Sequence, residues 1–179
     1  DLDFSKGNLV LPLGARADGT CVSYSGMLNG KFSSISNLTM NNTNKAGYNN
    51  SGLFCCLKGA TVENLVIDET CSFAGSSAGA LSVVVTGEVK LISIKNRGSV
   101  SGVENVGGFV GHVKGLKQEV VFIGHCVNEG NISGSSYIGG FVGTISENEG
   151  VNVTIVDSSN DADVHGSQNG VGGLVGCVD

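Results

Sequence analysis

The nine residues "NVGGFVGHV" (Asn105–Val113) return as "YIGGFVGTI" (Tyr137–Ile145) and again as "GVGGLVGCV" (Gly170–Val178). The glycine pairs open at Gly107, Gly139 and Gly172, a step of 32 and then 33 residues. A chain that repeats itself at such a step folds as stacked copies of one supersecondary unit. The residues between the motifs keep the step. Val89, Val121 and Val153 fall in register, as do Leu91, Ile123 and Ile155, then Asn96, Asn128 and Asn160, then Val100, Ile132 and Val164, then Gly102, Gly134 and Gly166.

Weaker copies lie upstream. "TVENLVI" (Thr61–Ile67) aligns with "SISNLTM" (Ser34–Met40) at a shift of 27, which sets Val62 on Ile35 and Ile67 on Met40. "SGLFCCL" (Ser51–Leu57) and "AGALSVV" (Ala78–Val84) take the place of the glycine motif. Each unit holds short, alternating, β-branched runs such as "VKLISI" and "VNVTIV" between Gly, Asn and Ser, the pattern of strands and turns. No window carries a helical period with caps. Leucine-rich repeats need a denser leucine pattern, and propeller blades need about 40 residues or more. The expected fold is therefore all-β, a parallel, right-handed β-solenoid (β-helix) of five to six coils of 27–33 residues, about three strands each, stacked at about 4.8 Å. Residues 1–24, including "NLVLPLG" (Asn8–Gly14), read as an atypical N-terminal turn or cap, and 25–179 as the solenoid repeats.

This architecture assigns roles. Asn96, Asn128 and Asn160 are expected to stack as a ladder, at a corner whose left-handed backbone asparagine tolerates. The repeat glycines (Gly107, Gly108, Gly111, Gly139, Gly140, Gly143, Gly172, Gly173, Gly176) are expected to turn a corner and let coils approach, with Phe109 and Val113 filling the core. Cys126 falls between Ile94 and Ser158 and reads as a core filler. Cys56, His112, Thr144 and Cys177 share a column tolerant of residue type, expected to be exposed.

The "GGFVG", "GGFVG" and "GGLVG" motifs resemble the GLUG-type repeats of bacterial surface proteins, peptidases and adhesins. "GMLNGKFSSISNLTM" followed by "SGLFCCLKGATVENLVI" is similar to the stretch that precedes such repeats, and the likeness runs from about Ser25 onward. The resemblance implies an extracellular β-solenoid that serves as stalk, adhesive surface or filament. It brings no catalytic residues, because such peptidases keep their chemistry in other domains.

Composition narrows the function. A net charge of −6 with no basic cluster argues against nucleic acid and anionic membrane surfaces as partners. No apolar run is long enough for a membrane span. The chain opens without Met or a leader, the look of a processed chain or a segment. Cys21, Cys55, Cys56, Cys71 and Cys177 are candidate disulfide cysteines, with fifteen connectivities open to the six cysteines of the chain and buried free thiols as the alternative. They suit an extracellular or cell-surface location.

Catalytic, metal and cofactor readings find little. The glycine motif lacks the following helix and the Lys-Ser/Thr of a phosphate loop. Asp157, Asp161, Asp163 and His165 crowd "VDSSNDADVHG" but lack the pattern of a calcium loop, and Asp157 is the only acid in a column with Ser93 and His125. His112, His125 and His165 share no column, and no serine sits in a nucleophile elbow. No enzyme and no cofactor is expected. An ice-binding face would require a threonine ladder that eight scattered threonines do not supply. Five sequons begin at Asn37, Asn41, Asn49, Asn131 and Asn152, candidate N-glycan acceptors in a eukaryotic source. Asn41, Asn49 and Asn131 fall at expected turns, and Asn37 in an expected strand. The final motif opens a coil and stops, so either more repeats follow or another copy stacks there. The expected function is a non-catalytic structural segment of a stalk or fibre, its partners being neighbouring repeats or other copies. An adhesin that binds glycan or protein is the second class, and a β-helix polysaccharide enzyme a third.

Overall fold

A computed structural model describes residues 1–7, 11–43, 47–116, 118–146 and 150–179; Asn8, Leu9 and Val10 of the "NLVLPLG" stretch lie outside them. Alternating β-branched runs bounded by turn residues make strands too short to bury a face alone. Each coil therefore lies on the one before. A short β1 (Leu2–Asp3) precedes five coils. The first holds β2 (Met27–Ser36), β3 (Thr39–Asn41) and β4 (Phe54–Lys58), and the second β5 (Thr61–Ile67), β6 (Ser72–Gly75), β7 (Ala78–Gly79) and β8 (Ser82–Thr86). The third holds β9 (Val89–Asn96), β10 (Ser99–Gly102), β11 (Glu104–Gly107) and β12 (Val110–Val113). The fourth holds β13 (Val120–Gly124), β14 (Val127–Asn128), β15 (Ile132–Gly134), β16 (Ser136–Gly139) and β17 (Val142–Ile145). The fifth repeats this as β18 (Asn152–Val156), β19 (Ser159–Asn160), β20 (Val164–Gly166), β21 (Val171–Gly172) and β22 (Val175–Val178).

The strands form four parallel sheets along the coil axis. Sheet one runs β1-β2-β5-β9-β13-β18 with β14 and β19 alongside, sheet two β3-β6-β10-β15-β20, sheet three β7-β11-β16-β21, and sheet four β4-β8-β12-β17-β22. The all-β solenoid of about five turns is thus the fold, with four strand positions per coil instead of three. The register of the later repeats is the one the spacing dictates: Val121 lies between Val89 and Val153, Ile123 between Leu91 and Ile155, and Ile132 between Val100 and Val164. Upstream, the expected alignment is overturned. Val62 pairs with Leu28 and Ile67 with Ile35, because Ser34–Met40 is not one strand: the chain turns at Asn37 and Met40 pairs with Phe73 in sheet two, while a bulge between Asn29 and Ser33 takes up two further residues of β2. The bulge residues Lys31 and Phe32 have φ of 50° and 61°.

Inward columns fill one continuous core. Phe73 sits over Met40 and under Val100, and Phe109 and Phe141 meet edge to face at 5.0 Å, all fully buried. Corners obey backbone position and not residue type. Asn64, Ser93, His125 and Asp157 occupy equivalent places in successive coils and share φ values of 46–54°. This left-handed residue breaks the in-out alternation, so that Leu91 and Ile94 both face inward. The ladder asparagines Asn96, Asn128 and Asn160 are not the left-handed ones, which corrects that expectation.

The described residues of the first 24, 1–7 and 11–24, lie across the first coil. Leu2 and Asp3 pair with Ile35 and Ser36, and Leu13 and Tyr24 bridge to Phe54 and Leu57 of β4. A disulfide joins Cys21 to Cys55 over a sequence separation of 34 residues, with Cα atoms 5.9 Å apart. Tyr48 sets its hydroxyl 2.9 Å from Cys55 Sγ, and burial pushes its pKa up to about 12. A cross-link closing a loop of this size stabilises by about 2–4 kcal/mol. Cys21→Ser should lower stability by that amount in urea titration, and a reductant should destabilise the parent equally while leaving the variant unchanged. Cys56, Cys71 and Cys177, the other candidate disulfide cysteines, are free thiols, as is Cys126.

Candidate functional site

The glycine motif is the feature most like a ligand loop, and its geometry explains it otherwise. None of its nine glycines has a positive φ, so the expected corner-turning role is not theirs; Asn105, Tyr137 and Gly170, which precede them, take φ of 53°, 60° and 67°. The glycines serve close approach. A Cβ on Gly143 would stand 2.5 Å from both Asn105 C and Val106 N and 2.6 Å from Gly111 O, and one on Gly176 2.5 Å from Ile138 N. At these glycines sheets three and four therefore touch backbone to backbone. The amides are spent on the coil stack: Gly108 N donates to Gly139 O and Gly140 N to Gly172 O, both at 3.3 Å. Those N–H groups run along the axis instead of converging on an anion.

Beside this contact stand the asparagines. Asn96 Nδ2 donates to Asn128 Oδ1 at 2.8 Å, and Asn128 Nδ2 to Asn160 Oδ1 at 2.7 Å. Each also ties its own turn, through Gly98 O, Gly130 O and Ala162 O. Asn96 and Asn128 are fully buried, so these bonds satisfy groups that water cannot reach. Ile67 lies next to Asn96 in the preceding coil, and the ladder begins there.

The acidic stretch stays dispersed. Asp157, Asp161, Asp163 and His165 are all exposed, and the nearest pairing is His125 Nδ1 to Asp157 Oδ2 at 3.8 Å. Among the described residues no group of three His, Cys, Asp or Glu side chains could hold a metal ion. The column of Cys56, His112, Thr144 and Cys177 exists, with Val84 in it, but Cys56 and Thr144 are buried and His112 and Cys177 half-buried, against the expected exposure. Thr144 Oγ1 donates to Asn105 Oδ1 at 2.6 Å, across the seam between sheets three and four. Cys126 is fully buried, between Ile94 and Ser158, and burial pushes its thiol up to about 11.

His112 Nε2 lies 2.6 Å from Ser146 Oγ, the one serine–histidine contact among the described residues. A serine nucleophile needs such a base, and the base needs a third group to orient it. Among the described residues no carboxylate stands within salt-bridge distance of the His112 ring. Burial, with Lys114 nearby, holds the His112 pKa down at about 4, while Asp179 opposes the shift. The folded chain thus binds less proton than the unfolded one between about pH 4 and 6.5. Stability should fall as pH drops through that window. The urea midpoint of His112→Thr, which takes the residue its column carries at 144, should lack that part of the slope.

An apolar cavity of about 650 Å³ opens at the N-terminal end of the core, lined by Leu2, Leu13, Leu28, Ile35 and Phe54 among others. Spacing gave no sign of it, because half its wall comes from residues outside the repeat. Of the sequon asparagines, Asn41 ends β3 instead of lying at the expected turn, Asn152 opens β18, and Asn131 directly precedes β15. Asn41, Asn49, Asn131 and Asn152 are exposed, while Asn37 is half-buried at a bend after β2 (φ 59°), not in a strand. No helix among the described residues is long and apolar enough to cross a membrane.

No protein-family model, curated protein or solved structure matches the chain.

The outward faces were not read from the sequence. On sheet two, Thr39, Ser72, Ser99, Asn131 and Asp163 form one column and Asn41, Ala74, Ser101, Ser133 and His165 the next. Extending the valine register by one residue to either side finds both.

Proposed function

We propose that the chain is a non-catalytic structural module of an extracellular stalk or fibre, built from GLUG-type repeats, whose exposed coil face receives another coil of the same kind. The observation that carries this reading is the state of the fifth coil. Among the described residues its four sheet edges have neighbours on one side only, and the side chains that are core in earlier coils are partly or largely exposed in this one. Leu174 takes the place of the buried Phe109 and Phe141 and is 40% exposed; Val171, over Ile138, is 46% exposed. Asn160 has one Nδ2 hydrogen with no partner among the described residues, where Asn96 and Asn128 each reach the next asparagine. An open edge with apolar side chains and an unspent donor is a template for a further parallel coil. At the opposite end the apolar cavity offers a concave counterpart, and β3 is an edge of sheet two. A contact between unlike ends does not close on itself and builds filaments. The disulfide supports an oxidising, extracellular setting.

Sedimentation velocity and negative-stain microscopy over a concentration series test the reading. End-to-end rods that Leu174→Asp abolishes, with an unchanged circular dichroism spectrum, are the expected result. A compact monomer at high concentration overturns it.

A further inference from the structure

Three of the five sequons meet the solvent complete. In extended backbone, residues i and i+2 point the same way, so an Asn-x-Ser/Thr on a strand can present both of its reactive side chains together. Asn131 and Ser133 do this on sheet two, and Asn152 and Thr154 on sheet one; all four are exposed. Asn41 and Thr43 are exposed at the end of β3, where Thr43 Oγ1 donates to Asn41 Oδ1 at 3.0 Å. The Nδ2 atoms of Asn41, Asn131 and Asn152 make no hydrogen bond to any described residue.

The other two sequons differ. Asn37 Nδ2 donates to Asp3 Oδ1 at 2.8 Å, which holds β1 against the first coil, and its backbone N–H donates to Thr70 Oγ1 of the second coil at 2.8 Å. A sugar on that nitrogen would stand where Asp3 stands. Asn49 is exposed, but the Ser51 hydroxyl of its sequon is fully buried and donates to Ala74 O at 2.6 Å, which leaves it outside the assignment.

We propose that Asn41, Asn131 and Asn152 are N-glycan attachment sites and that Asn37 is not one. The proposal rests on the extracellular reading above. The donor is an oligosaccharide carried on a lipid pyrophosphate. Nδ2 attacks the sugar C1, the C–N bond forms as the bond from C1 to the pyrophosphate oxygen breaks, Nδ2 gives one proton to a base of the transferase, and the lipid pyrophosphate leaves. Two of the three sugars would then stand on the small, polar outer face of sheet two. The column in front of Asn131 carries Ser99 and Ser72, short side chains that leave room for a pyranose ring. Asn41 and Asn152 stand on the edge strands β3 and β18, with their side chains on the outer sheet faces.

The test is to secrete the 179-residue chain from a eukaryotic cell, release N-glycans with an amidase that leaves aspartate, and map the peptides. Aspartate at 41, 131 and 152 with asparagine kept at 37 is the expected result, and N37Q should leave the carbohydrate mass unchanged. Asparagine at any of the three, or aspartate at 37, overturns the proposal. Sedimentation of the same sample separates the two readings: rods of bare polypeptide would sink the glycans and spare the stacking, and a glycosylated monomer would do the reverse.

Discussion

Gly143→Ala is expected to cost about 4 kcal/mol or more, a large fraction of the stability of an ordinary domain. The added methyl would meet Asn105 C and Val106 N at 2.5 Å and Gly111 O at 2.6 Å. All three are backbone atoms, so no side chain can rotate away. Relief requires sheets three and four to separate, which would pull Thr144 from Asn105 and loosen Phe141 in the core. Overpacking of a core usually costs 1–3 kcal/mol where side chains can adjust, and this site lacks that freedom. Gly173 gives the control, because nothing lies within 4 Å of a Cβ there. Gly173→Ala should stay within about 0.5 kcal/mol of the parent, as unconstrained substitutions do. Urea titrations of both variants check the contrast. Equal effects would mean that the glycines matter for chain flexibility and not for the seam.

Asn128→Ala should be nearly as damaging. The side chain accepts from Asn96, donates to Gly130 O and donates to Asn160 Oδ1, so its removal strands three polar groups, those of Asn96 and Gly130 in the buried interior. Each buried group left unsatisfied costs about 1–3 kcal/mol, and a sum near 4 follows if part of the space admits water. Asn160→Ala removes the last rung only, where the side chain is half-exposed, and should cost about 1 kcal/mol. A double-mutant cycle between positions 96 and 128 should show coupling of about 1 kcal/mol or more, since the two amides polarise each other along one axis. Additive losses would refute the ladder as an energetic unit.

The axial register was legible wherever the coils have equal length. From Val89 onward the step of 32–33 residues fixes which residues lie over which, and the pairings of β9, β13 and β18 follow it. It failed upstream, because the match at a shift of 27 took Ser34–Met40 for one strand, whereas the chain turns at Asn37 and Met40 pairs with Phe73 in the next sheet, so that Ile67 lands on Ile35. The fourth sheet was hidden for a related reason. Sheets three and four meet through glycines, and a position without a side chain shows no alternation from which a face could be read. The left-handed corner was missed as well: Asn64, His125 and Asp157 are types that visit this backbone more readily than most, but with Ser93 among them and no glycine, no single residue type marks the column. Of the candidate site, the asparagine stack depends on spacing alone and could be placed from it. The partner of Cys55 could not: Cys21 lies outside the repeat, where the step gives no position.

The fastening of Cys21 to Cys55 gives the coil stack a mechanical direction. At that end the outermost backbone is pinned covalently to β4, whereas the coil of β18 to β22 is held on one side by non-covalent contacts alone. In a one-dimensional array each layer is stabilised by its neighbours, so opening starts at the layer with one neighbour and runs inward. Amide exchange should therefore be fastest in β22 and slow progressively toward β8. Under tension the chain would peel from the same side, coil after coil, until it reached the stretch that the sulfur bridge closes into a loop. A covering coil on the open face would change no bond in the interior, yet it would convert the fastest-exchanging layer into a protected one.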